Sequence, residues 1–350
     1  MSHAIIIFVG LLLLLPTLLP LLSVEWWWVR VWDFPRAQLV GLYLVMIVLL
    51  LLVAGRGWAS LAISGLLALA LLYQLTWIVP YLPLAPLQTQ YATMTDQAFT
   101  LRILIANVLM TNRAADRFIS TVERIEPDLV IITEPDAWWA EQLRVLDEAF
   151  PYHTKYPLEN TYGMMVYSRL PLPRSEVKFL VDNEIPSIHS HIRLRSGDLV
   201  EVIAVHPRPP LPRVDTAERD AELVLVGRQA KASRYATVVA GDLNDVGWSQ
   251  TTRLFQQVSG LLDPRRGRGL YATYHADYPL LRYPLDHLFH AAAFRLRRMQ
   301  VLDHFGSDHF PLFIELSYEP ERTSEQQEPQ LDEAAREEAQ EKLERVDKEE

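Results

Sequence analysis

Three long apolar runs open the chain, and short apolar strands alternating with amphipathic helical patterns follow them. The runs are Ala4 to Leu22, Leu39 to Ala54 and Trp58 to Val79. They have almost no polar face, which sets them apart from surface helices of soluble proteins. A membrane-spanning helix needs roughly 20 apolar residues, and the middle run reaches that length with Ala37, Gln38 and Gly55. Trp26, Trp27, Trp28 and Trp32 follow the first run, and Trp77 and Tyr81 end the third; such aromatic residues favour the membrane–water interface. The pattern predicts a three-helix transmembrane region over residues 1–80, a multi-pass integral membrane protein with the lipid bilayer as a partner. Arg30 and Arg36 in the first loop against Arg56 in the second leave the side of the membrane undecided.

Pro80, Pro83 and Pro86 mark a linker over residues 81–98. From 99 to 318 the pattern is that of a globular α/β domain. Strands are predicted at Leu101–Leu109, Leu129–Thr133, Gly163–Tyr167, Glu176–Leu180, Thr237–Ala240, Pro284–His290, Arg295–Leu302 and Phe310–Leu316, and a hairpin at His189–Leu194 and Leu199–Val205 around Ser-Gly-Asp. Arg113–Ile125 and Val214–Ala232 have helical spacing. Hairpin-forming pairs with interspersed helices imply sheets in contact with covering helices. Residues 319–350 are charged, Gln-rich and poor in apolar side chains, the composition of a disordered tail, with a solvated helix over Leu331 to Val346 as the alternative.

Charge adds little about the domain. The net charge is −10, but Glu321 to Glu350 carries 12 acidic and 5 basic residues, so the remainder is close to neutral. There is no cysteine, which excludes disulfides, thiolate metal sites and cysteine nucleophiles together. No G-x-S-x-G occurs either, so an activated water is better supported than a covalent nucleophile.

Polar residues stand where predicted strands end. Asn107 closes LRILIAN, Glu134 follows LVIIT, His206 follows VEVIAV, and Asp242 and Asn244 follow TVVAG. Asp286 lies in YPLDHLF, and Asp308 and His309 precede FPLFIEL. Singly, each has an ordinary structural role as a turn residue, a cap or a strand polar group. Together they mark strand ends on one sheet edge, where ligand sites form by preference. Glu134 is a hard oxygen ligand suited to Mg²⁺. His309 needs a partner to act as a base or as a positive charge, and Asp286 can orient it.

The ordered set Asn107, Glu134, His206-Pro207, Gly241-Asp242-Leu243-Asn244, Leu285-Asp286-His287 and Ser307-Asp308-His309 resembles the endonuclease/exonuclease/phosphatase superfamily with the DNase I-like fold. Glu134 lies in ITEP, where many members have Gln before the Glu. The resemblance implies a four-layer α/β sandwich of two packed sheets with helices outside. It implies hydrolysis of a phosphodiester or phosphomonoester in a nucleic acid, a phospholipid or a sugar phosphate, with Mg²⁺ or Mn²⁺. By position, Glu134 would ligate the metal with Asn107 nearby, and Asp308 would support the metal side. Asp242 would orient or deprotonate the water, and Asn244 would hold the phosphate. His309, paired with Asp286, would stabilise the phosphate or assist proton transfer, and His206 would contact the phosphate or help the leaving group. The dense basic run Arg265, Arg266 and Arg268 is the candidate for further phosphate contacts. The alternative is a catalytically idle membrane scaffold that keeps the fold for binding.

Overall fold

The computed structural model describes residues 2–346 apart from 23, 56, 211 and 213. Arg56, used above for orientation, lies outside the described residues, as does the end of the tail after 346. Eleven strands form among the described residues: β1 (Thr100–Asn107), β2 (Leu129–Thr133), β3 (Tyr152–Tyr156), β4 (Met164–Ser168), β5 (Arg174–Phe179), β6 (Pro186–Arg193), β7 (Leu199–Val205), β8 (Ala236–Asp242), β9 (Asp286–His290), β10 (Phe294–Val301) and β11 (Leu312–Tyr318).

They make two sheets, ordered β10-β11-β1-β2-β4-β3 and β5-β6-β7-β8-β9. Within each sheet one pair is parallel, β1 with β2 and β7 with β8; the other pairs are antiparallel. Each parallel pair is joined by a helix, Ala115–Ile125 in the first sheet and Ala217–Ala232 in the second, because a parallel connection needs a crossover.

The sheets pack face to face. Alternate residues Leu101, Ile103 and Ile105 of β1 and Val202 and Ala204 of β7 enter one shared core, as the two-residue strand period requires. The other side of β1 and β2 packs under the Ala115–Ile125 helix. The outer side of β7 and β8 packs under Ala217–Ala232 and a helix at Gln250–Ser259. This is the expected helix–sheet–sheet–helix layering. The Gln250–Ser259 helix and the polar strand β3 are elements that hydrophobic patterning did not predict.

The apolar region differs from expectation. Two helical stretches, His3–Leu21 and Trp58–Tyr81, are long and apolar enough to cross a membrane. The middle run forms a 17-residue helix, Arg36–Leu52, preceded at a 75° bend by Trp27–Asp33. Of the three expected spans, two are long and apolar enough by themselves and the third reaches that only as a bent pair. Polar groups within this region satisfy one another. Thr17 Oγ1 and Tyr43 Oη are 2.6 Å apart, Gln74 donates to Thr17 at 2.8 Å, and Arg36 donates to Gln74 at 2.9 Å and pairs with Asp33.

Residues 81–98 do not run free. Thr89 is buried with Oγ1 2.9 Å from His290 Nε2, and Tyr81 donates to the Gly247 carbonyl. The tail expectation is also corrected: Glu333–Val346 is a helix. Ala335 and Ala339 pack on Val224, Leu254 and Val258. Lys342 is buried, donating to Asp220 at 2.7 Å and to Glu25 at 3.2 Å. Composition could not show this, because the tail's stabilising partners lie 122 and 317 residues away.

Candidate active site

The sheet registers bring the strand-end residues together. Asn107 lies opposite Thr133 in the parallel pair, so Glu134 leaves the same edge one residue later. Val205 lies opposite Gly241, so His206 and Asp242 emerge as neighbours. Asp286 lies opposite Asp242 in the antiparallel β8–β9 pair. Two glycines allow the close approach. A Cβ on Gly163 would sit 2.0 Å from the Pro135 carbonyl, and one on Gly241, at φ +144°, 2.0 Å from the Val205 carbonyl. Glu134 (φ +63°) and Asn244 (φ +51°) occupy the left-handed region. That region is uncommon for a glutamate and costs energy that the surroundings must offset.

Asn107 is the bridge between the two sheets. Its Nδ2 donates to Glu134 Oε1 at 2.7 Å and to Asp242 Oδ2 at 3.0 Å, while its Oδ1 accepts from Leu109 N. Asp242 is buried, and its Oδ1 accepts from Asn244 N at 2.9 Å. His206 Nε2 lies 3.8 Å and His309 Nε2 3.6 Å from Asp242 Oδ2. On its other side, His309 Nδ1 is 2.7 Å from Asp286 Oδ2. Asn244 Nδ2 donates to the Pro207 carbonyl at 2.9 Å, which joins the loops that follow β7 and β8.

The electrostatics follow from this arrangement. Burial alone would push Asp242 up. His309 and His206, with hydrogen bonds from Asn107 and Asn244, overcome that and hold Asp242 below the usual carboxylate value. Burial alone would push His309 down, yet Asp286 and Asp242 on either side raise it to about 10. Burial leaves Asp286 raised despite the pull of His309. At neutral pH His309 is therefore a buried imidazolium against an ionised Asp242, a paired arrangement that a desolvated charge requires.

Six of the expected residues, Asn107, Glu134, His206, Asp242, Asp286 and His309, come together in this way. Asn244 joins them through its backbone. Asp308 is half-buried, with Oδ1 3.4 Å from Ser307 Oγ, and it adds to the negative field on His309. The arginine run differs from its expected role. Arg265 is buried, forked onto Asp263 at 2.7 and 2.8 Å and 2.7 Å from His287 Nδ1. Arg268 donates to the Pro264 and Thr89 carbonyls and stacks on Tyr91. Arg266 lies over Tyr81 at 5.9 Å. Arg265 and Arg268 thus brace β9 and the linker, while Arg266 pairs with no carboxylate among the described residues.

Sequence reasoning missed the walls of the site. Tyr274 lies against the His309 ring at 4.9 Å, and Tyr162 against His206 at 5.7 Å. It also missed Arg219, a buried side chain that donates to the Asn244 carbonyl at 3.1 Å and to Asp220 at 2.9 Å. Arg219 belongs to no motif, and only the packing of its helix brings it to the loop.

The Glu134 and Asp242 carboxylates, both held by Asn107 Nδ2, supply the oxygen donors that suit a hard divalent cation. Glu134 is half-buried, and among the described residues its Oε2 is met only by Met110 N, at 3.4 Å, which leaves acceptor capacity for an ion. Asp242, Asp286 and His309 also lie within 4.8 Å of one another. The trio is held together by the His309–Asp286 hydrogen bond, with His309 Nε2 3.6 Å from Asp242 Oδ2.

Similar proteins share this architecture. In D. rerio TDP2 complexed with a single-strand DNA product, 16% of aligned residues are identical at a TM-score of 0.53, covering 62% of this chain and 99% of that one. The human Nocturnin catalytic domain with bound sulfate matches at 16% identity and TM-score 0.52, over 63% and 94% of the two chains. An endonuclease/exonuclease/phosphatase from Beutenbergia cavernae matches at 20% identity and 0.52, over 63% and 72%. No curated protein sequence matches the chain. Residues 104–309, more than half of the chain, match the model of one family, and the protein belongs to the Endonuclease/Exonuclease/phosphatase family.

Proposed function

We propose that this protein is a membrane-anchored, divalent-metal-dependent phosphoesterase that hydrolyses a phosphate ester with an activated water. The observation that carries this reading is the chain of contacts Glu134–Asn107–Asp242–His309–Asp286 across the two sheet edges.

The roles follow from charge. His309, raised to about 10, carries its proton at neutral pH. It is thus a donor and a fixed positive charge for a phosphate oxygen, and a poor base. Asp242 is held low, so it accepts a hydrogen bond strongly while binding a proton weakly. It orients the attacking water, and proton removal is favoured only as the water's acidity rises in the transition state. Asp286 fixes the His309 ring and its tautomer. Asn244 and His206 face the phosphate. His206 Nε2 lies 3.8 Å from Asp242 Oδ2, so that nitrogen is the one placed to serve the leaving group, while the buried Nδ1 has no partner among the described residues. Glu134, with Asn107 and Asp308 beside it, would hold Mg²⁺ or Mn²⁺. A bound cation there supplies charge neutralisation at the phosphoryl oxygens. Charges held in place before the reaction supply most of the rate enhancement in many enzymes, because they need no reorganisation as the transition state forms.

The test uses the full chain in detergent micelles with bis(p-nitrophenyl) phosphate. Nitrophenol release is expected with Mg²⁺ and is abolished by chelation, and Asp242→Ala should remove it while circular dichroism stays unchanged. Wild-type turnover in that variant would reject the assignment.

A further inference from the structure

Three loops leave the catalytic edge; two are tied to the segment before the Arg36–Leu52 helix and the third to the first turn of that helix. The loop after His206 ends at Thr216, whose N–H donates to the Glu25 carbonyl at 3.0 Å. The loop after Asp242 carries Trp248, whose Nε1 donates to the Asp33 carbonyl at 2.9 Å. The loop before Asp286 carries Leu280, whose carbonyl accepts from Gln38 Nε2 at 3.1 Å. Gln38 lies in the first turn of the apolar Arg36–Leu52 helix, just past its bend from Trp27–Asp33.

That third loop is built for an interface. Tyr274 at one end lies on His309, and Tyr283 at the other packs edge-on against Phe34 at 5.6 Å. Between them Tyr278, Leu280 and Leu281 are 58%, 83% and 52% exposed. Exposed leucines and a tyrosine beside the entry point of a membrane helix match the composition of interfacial segments. The stretch from Tyr274 to Leu280 can reach at most about 20 Å. Arg265 and Arg268 are turned inward onto Asp263 and backbone carbonyls, which leaves only Arg266 of this run for a polyanion lying along this face.

We infer that the catalytic edge faces the headgroup layer and that its substrate is the phosphoester headgroup of a membrane phospholipid, presented beside the Tyr278–Leu281 loop. This rests on the phosphoesterase reading above. In the reaction, water adds to phosphorus, one P–O ester bond breaks, and the departing alcohol oxygen takes the proton. The lipid then separates into a phosphate monoester and an alcohol, with no change of oxidation state.

The experiment reconstitutes the full chain into phosphatidylcholine vesicles doped in turn with sphingomyelin, phosphatidylglycerol and a phosphoinositide. Bis(p-nitrophenyl) phosphate and plasmid DNA are supplied in parallel as soluble esters. Wild type is expected to cleave the soluble ester and at least one vesicle lipid. The double variant Leu280→Asp, Leu281→Asp should keep soluble-ester turnover within about twofold and lose about tenfold or more on the lipid, since its apolar anchor is gone. Because the chain has no native cysteine, Leu280→Cys bearing an environment-sensitive dye reports loop position independently of turnover, and it should be quenched by brominated lipid. Soluble-ester or DNA cleavage without any lipid cleavage overturns the inference and leaves the phosphoesterase reading standing. A dye that stays in water, or a double variant unimpaired on lipid, also overturns it. Failure on every ester overturns both.

Discussion

His309 and His287 occupy equally buried places on either side of Asp286, one across a hydrogen bond and one next along the chain, and they carry opposite protonation states. His309 lies between two carboxylates and is raised to about 10. His287 is lowered to about 3 by burial and by the Arg265 guanidinium. Arg265 donates to His287 Nδ1, so Nε2 holds the single proton and donates to the Asp245 carbonyl at 2.8 Å. Burial is the same in both, and the sign of the neighbour decides. A carboxylate partner makes a buried cation, while a guanidinium partner makes a neutral strut. The first is the group proposed to act on the phosphate, and the second ties β9 to Arg265 and the Asp245 carbonyl.

The comparison can be broken most severely at His309. His309→Ala should lower kcat by about 10²- to 10³-fold with the thermal transition retained, measured on bis(p-nitrophenyl) phosphate. An unchanged kcat would move His309 out of the reaction.

The structural half should fail in the opposite way. Arg265→Met leaves Asp263 buried and unpaired, which costs about 3–5 kcal/mol. The melting temperature should fall by roughly 10 °C, while molecules still folded at low temperature keep near wild-type kcat. A large kcat loss without a melting shift would place Arg265 among the substrate contacts after all.

The two histidines also predict opposite pH arms. His309 has a folded pKa of about 10, above its ordinary 6.5. Its contribution is complete below about pH 6.5 and is lost as pH rises through about 10. His287, at about 3, and His290, at about 4, are lowered. Their contributions are complete above about pH 6.5 and are lost as pH falls towards 4 and 3. A melting-temperature scan should therefore show a plateau with both arms, each worth a few kcal/mol. Asp286→Asn should move the alkaline arm to lower pH and leave the acid arm in place.

The smallest effect belongs to Arg266. Its guanidinium pairs with no carboxylate among the described residues, and Arg266→Ala should change stability by less than about 0.5 kcal/mol and kcat by less than about twofold. A greater loss on any phosphoester would restore the run's expected role.

Much of this was legible in the chain itself. Asn107, Glu134, Asp242 and His309 stand where short apolar runs stop or start, which marks strands buried on both faces, whereas Asp286 lies inside the predicted strand Pro284–His290 and the structure puts it at the start of β9. The arginine run misled because a cluster of like charge looks solvent-facing until its counter-ion is found, and Asp263 lies just outside the run. Arg219 and the Tyr274 ring were invisible, since nothing local ties a helix residue or a loop aromatic to a strand end tens of residues away.

By itself, then, the sequence determined the apolar helices, the order of strands and the identities of the polar groups at their ends, since these depend on the periodicity and chemistry of neighbouring residues. Tertiary structure alone decided which histidine is charged, that Arg265 and Arg268 face inward, that Lys342 anchors a tail helix to Glu25 and Asp220, and that loops at the candidate site meet the segment before the Arg36–Leu52 helix. Those outcomes depend on distance and dielectric between groups far apart in the chain, and packing the two sheets and their helices is what sets both.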